Sequence, residues 1–132
     1  MAESLDPRFA WLGPVLTLAL AHPVAATVAA DAVLGRWQGA DAPDAVVEIR
    51  AQGLNLYQGR IVAHAREADA IGAHVIRDLR YDADRARWCG ARCASRHDRE
   101  RDVEIVRDAD GRFSLLVSTW SGQRRVRWSR VP

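Results

Sequence analysis

Cys89, Cys93 and His97 stand four residues apart, and on a helix that spacing would set three metal-ligating side chains on one face. The surrounding residues oppose a helix. Trp88-Cys89-Gly90 is poor helical material and reads as strand, and no fourth ligand accompanies the three. No metal or other cofactor is therefore expected. The same two cysteines, the only ones in the chain, have a second chemistry open to them. An even count in an oxidising compartment favours a disulfide. Four residues of extended strand, however, span about 13 Å, whereas bridged α-carbons sit about 4.4–6.8 Å apart. A bridge between Cys89 and Cys93 thus requires Gly90–Arg92 to turn or bulge; without it the two are small buried apolar groups.

His64 and His74 flank an acidic stretch containing Glu67 and Asp69, and a histidine beside a carboxylate is the raw material of a general base. No serine or thiol nucleophile has a base next to it, and solvated loop histidines are the commoner reading. The chain is not expected to be an enzyme.

Aromatic and arginine side chains give a stronger signal. Gly35-x-Trp37 opens the first apolar run, and Arg124-Arg125-Val126-Arg127-Trp128-Ser129-Arg130-Val131 closes the chain. A guanidinium laid across an indole contributes about 0.5–2 kcal/mol, more when desolvated. Its remaining donors can hold backbone carbonyls. An arginine of the last run (Arg124, Arg127 or Arg130) is therefore expected to cover Trp37 and join the two ends. Trp88 and Trp128 sit in strands and read as packing residues, while Trp120 lies beside a turn, where it could stack on a ligand. Tyr57, Arg60, Tyr81, Trp88 and Trp120 are the candidates for lining a ligand site, although alternation alone does not say which face is the interior.

The elements that must position these residues are short and alternating. Runs at Val33–Gln38, Ala45–Arg50, Leu54–Ala63, His74–Tyr81, Arg87–Cys93, Val103–Arg107, Arg112–Thr119 and Arg124–Val131 predict about eight strands. Turns are marked by Asp41-Ala42-Pro43-Asp44, Ala51-Gln52-Gly53, Asp82-Ala83-Asp84, Asp108-Ala109-Asp110-Gly111 and Ser121-Gly122. His64–Ala73 reads as a loop with one helical turn. Gly59, inside a strand, marks a bend or a close backbone approach. No segment has the length and period of a core helix. Neighbouring antiparallel strands without a crossover close most economically into an all-β, up-and-down barrel. Its interior is either filled by side chains or holds one small ligand.

With 132 residues, 48% of them hydrophobic, the chain fits one domain. All 19 basic side chains are arginine, and the formal charge of +2 is spread among interleaved acids. That pattern describes a solvated mixed-charge surface and argues against nucleic acid as a partner. Residues 1–30 differ from the rest: an uncharged run from Phe9 to Ala30 ends in Val28-Ala29-Ala30, small residues suited to a cut before Asp31. A cleaved leader (1–30) and a mature domain (31–132) are expected, in the periplasm or outside the cell, with no stable membrane span after cleavage. The acidic start, Glu3 and Asp6 against Arg8, keeps an uncleaved anchor and a disordered cytoplasmic tail as the alternatives.

Gly35-x-Trp37, Val47-Glu48-Ile49, Tyr57-x-Gly59-x-Ile61-Val62, Gly72 leading into Asp78-Leu79, Trp88-x-Gly90 and Arg124-x-x-x-Trp128-x-Arg130-Val131 occur in an order that resembles the bacterial exported proteins catalogued as domain of unknown function 2147. The resemblance covers most of Val33–Val131. It implies a lipocalin-like barrel behind a signal peptide and lends no reaction. The expected partner is a small lipophilic or amphipathic molecule or a cell-envelope fragment. The other reading is a solidly packed structural or protein-interaction module without a ligand.

Overall fold

The computed structural model of the chain describes residues 29–93 and 99–132. The leader expected over residues 1–30 falls almost wholly outside the described residues, and so does His97. Val33–Pro132 forms one unit; of the unit before it, Met1–Ala32, only residues 29–32 are described.

Among the described residues eight strands follow one another: β1 (Gly35–Gly39), β2 (Ala42–Gly53), β3 (Leu56–His64), β4 (His74–Asp82), β5 (Arg87–Arg92), β6 (Arg101–Arg107), β7 (Phe113–Thr119) and β8 (Gly122–Val131). Short 3-10 turns occupy Asp31–Val33 and Ala68–Ala70. Each strand pairs antiparallel with the next, and β8 returns to β1, so the sheet closes as an up-and-down barrel. The closing ladder runs from Arg36 opposite Val131 to Gly39 opposite Trp128. With both end strands paired, the sheet presents no free edge.

The strands form where apolar and polar residues alternate. Trp37, Ile49, Tyr57, Ile61, Leu79, Trp88, Ile105, Leu115, Val126 and Trp128 are buried, while Arg36, Arg50, Arg60, Arg80, Arg107 and Arg127 are exposed between them. The turn after β6 is tight: Asp108 N–H donates to Arg112 O at 2.7 Å and Gly111 N–H to Asp108 O at 2.9 Å. Gly59 fills the predicted role of close approach, since a Cβ there would stand 3.0 Å from the Ile76 side chain. One boundary differs from expectation. Ala42-Pro43-Asp44 belongs to β2 and not to a loop, because β1–β2 pairing already begins at Gly39 opposite Ala42. Pro43 contributes its carbonyl there, accepting from the Gln38 side chain at 3.0 Å.

Up-and-down connectivity gives the barrel two ends of different character. The chain enters at one end, where the β2–β3, β4–β5 and β6–β7 turns also lie. Here Trp37 Nε1–H donates to Val33 O at 2.9 Å, and Val33 is fully buried. Arg130 lies over the Trp37 ring at 4.2 Å and donates to Leu34 O at 2.8 Å. Gly35 leaves room for that guanidinium: its φ is +123°, and a Cβ on it would come within 2.7 Å of Arg130 Nη1. Above this seal the interior is aromatic, with Trp37 and Phe113 at 4.8 Å, Trp88 and Phe113 at 5.8 Å, and Tyr81 and Trp88 at 4.9 Å. This end is closed and filled.

Candidate functional site

Toward the opposite end, where the β1–β2, β3–β4 and β7–β8 connections lie, the described residues fill the interior less. Interior positions there carry Gly39, Ala42, Ala45 and Val47 where the closed end carries tryptophan, phenylalanine and tyrosine. The missing side-chain volume is a cavity of about 130 Å³. Ile61, Val75 and Ile76 form its apolar wall and Trp128 joins them. Trp128 in turn stacks on Trp37, with ring centroids 5.8 Å apart. One aromatic column thus links the arginine-covered seal to the cavity.

Asp41, His64, Glu67 and Arg92 bring polar groups to the same cavity, with Ala70 beside them. β5 presents Trp88, Gly90 and Arg92 on one face by the period-two rule, so an arginine replaces an apolar side chain at the inner end of that row. Its side chain is only 13% exposed and is bound to Asp41 at 3.0 Å. β8 obeys the same rule: Arg124, Val126, Trp128 and Arg130 share a face, while Arg125 and Arg127 stand on the other. Arg124 reaches the same Asp41 oxygen at 3.5 Å. Of the three arginines that could have covered Trp37, Arg130 does so, Arg124 serves the open end, and Arg127 is on the outer surface.

His64 reaches the interior through a bulge. One step of β2, Val46 to Val47, faces two steps of β3, Ala63 to Ile61, so the alternation shifts and His64 pairs with the inward Ala45. The following turn is tied down by Ala65 N–H donating to Asp44 O at 2.9 Å and by the Arg66–Asp44 ion pair at 3.3 Å. His64 Nδ1 accepts from the backbone N–H groups of Arg66 and Glu67 at 3.2 and 3.0 Å. A nitrogen that accepts these bonds carries no proton, so the neutral ring bears its proton on Nε2 and offers a donor. The lone pair a general base would need at Nδ1 is already committed. His74 is exposed and does not join the site.

The residues that the sequence put forward as ligand-lining fall elsewhere. Tyr57 and Trp88 are buried in the packed interior, and Tyr81 lies against Trp88. Arg60 is exposed on the barrel wall, and Trp120 is 94% exposed on the β7–β8 turn. None of the five lines the cavity.

The cysteines are thiols and form no bridge. β5 stays extended through Arg92, which holds Cys89 and Cys93 far beyond bridging distance. Cys89 pairs across the ladder with Glu104, and burial together with that carboxylate pushes its thiol pKa up. Such a thiol is a poor nucleophile at neutral pH. Among the described residues, no three side chains of histidine, cysteine, aspartate or glutamate converge as metal ligands.

Two half-buried carboxylates on the outer wall are gripped by arginines. Glu104 is bound by Arg87 at 2.7 Å and Arg85 at 3.0 Å, and these hydrogen bonds hold its pKa below the ordinary carboxylate value. Glu48 is lowered in the same way, first by Arg36 and then by Arg50. Neither belongs to the cavity. No helix among the described residues is long and apolar enough to cross a membrane.

No family model, curated protein or solved structure matches the chain.

Proposed function

We propose that this is an exported binding protein that takes a small amphipathic molecule, or a compact fragment of cell-envelope material, at the open end of its barrel. One observation carries the reading: a space of about 130 Å³ has an apolar wall of Ile61, Val75 and Ile76 and a polar rim of Asp41, His64, Glu67 and Arg92. An engineered cavity of about 150 Å³ holds a benzene ring, whereas drug-sized ligands occupy roughly 300–1,000 Å³. The site therefore suits a branched or cyclic group of a few carbons and not a long acyl chain. Packing of Trp37, Phe113 and Trp88 below it leaves no depth for a lipid tail. The apolar run ending at Val28-Ala29-Ala30 supports export.

A packed structural or protein-interaction module is the second reading, favoured by that aromatic filling and by the 94% exposure of Trp120. Two measurements separate the readings. Native mass spectrometry of protein purified from its own cell envelope should show a low-mass adduct. Titration with isobutanol should move backbone amide resonances around Ala45, Ile61 and Val75. A ligand-free mass together with unmoved resonances would leave the packed module standing.

A further inference from the structure

The rim charges are arranged unevenly, and the arrangement selects a ligand. Arg92 and Arg124 both converge on a single oxygen of Asp41, at 3.0 and 3.5 Å. Each uses one terminal nitrogen for this, leaving the rest of two guanidinium forks for another acceptor. His64 adds its Nε2–H. Glu67 has no cationic partner among the described residues, since the adjacent Arg66 is taken by Asp44. Arg124 stands outside the lining and holds Asp41 from behind, while Arg92, His64 and Glu67 line the cavity, and one small molecule can span it. Its wall accepts only a compact apolar group.

We propose that the cavity binds an α-amino acid with a small aliphatic side chain. Its carboxylate meets Arg92, its ammonium meets Glu67, and its side chain enters against Val75, Ile76 and Trp128. This assignment rests on the binding reading above. A ligand bearing only an anion places that charge beside Glu67, and one bearing only a cation meets Arg92. Arg92 is largely covered and Glu67 stands exposed at the rim, so each end of a zwitterion finds one opposite charge and both contacts add to binding.

The test is an amide-resonance titration of the full chain with four probes: L-valine, isovalerate, isobutylamine and isobutanol. L-Valine should bind at least about tenfold more tightly than isovalerate or isobutylamine, the factor one charge-assisted hydrogen bond carries. Glu67→Gln should bring L-valine down to the affinity of isovalerate and leave isovalerate no weaker. Isovalerate or isobutylamine matching L-valine overturns the proposal, and so does a Glu67→Gln variant that binds L-valine unchanged. Isobutanol binding without any preference for L-valine overturns the amino-acid assignment while the small-ligand reading stands. Silence from all four probes removes both.

Discussion

The Arg130 guanidinium carbon lies 4.2 Å from the centre of the Trp37 ring, joining the last strand to the first at the sealed end of the barrel. The contact has two energetic parts. Attraction between the cation and the ring is worth about 0.5–2 kcal/mol depending on desolvation. The bond from Arg130 to Leu34 O satisfies a carbonyl beside the buried Val33.

Arg130→Ala removes both, and an expected loss of about 1–2 kcal/mol follows for this solvent-reached contact. Arg130→Lys keeps the charge and loses the planar fork, so it should recover only part. Urea unfolding curves measure the difference. Equal midpoints for all three proteins would show that the closing ladder, and not this contact, holds the ends together.

The fold was legible because its signals are local. Alternation gave eight strands, each within a few residues of the observed bounds, and Gly35-x-Trp37 with the arginine-rich tail announced closure. Choosing Arg130 over Arg124 and Arg127 needed a register, since a seal is set by which strand positions meet across the β1–β8 ladder. The site was hidden for three physical reasons. A bulge that shifts alternation leaves no mark in composition, so His64 read as a loop residue. Arg92 falls on the inner face by alternation from Trp88, but an arginine at the end of a strand is read as surface by residue type. Ala42 and Ala45 matter through volume they do not fill. Conversely, Tyr57 and Trp88 look like ligand contacts, but a narrow barrel spends its aromatics on packing.

Acid should destabilise the barrel through its outer wall. Glu104 and Glu48 have folded-state pKa values depressed below the ordinary carboxylate value, by Arg87 and Arg36 foremost. The unfolded chain therefore binds protons more readily, and stability falls as pH drops through the ordinary carboxylate range and below. Above that range this contribution is fully present and flat. Denaturation midpoints measured from pH 7 to pH 3 should decline at the acidic end, and Glu104→Gln should make the decline shallower. An unchanged slope in that variant would show that Arg85 and Arg87 add nothing to Glu104 beyond solvent.

Ala45 offers the sharpest separation of a binding barrel from a packed one. It is buried, lines the cavity and faces His64 across the β2–β3 ladder. Ala45→Leu would place three more carbons in a space of about 130 Å³. Burying them is worth up to about 2.4 kcal/mol at about 0.8 kcal/mol per carbon, set against about 1–3 kcal/mol if the fit is strained. A stability equal to or above the parent is expected, because the volume already exists. If the cavity is only an unfilled corner, the variant gains stability and loses nothing measurable. If it is a binding site, the same variant should no longer respond to isobutanol or to L-valine, while its unfolding midpoint holds or rises. Stability and binding moving in opposite directions at one alanine would mean that the small side chain is kept for the ligand, at the expense of the core.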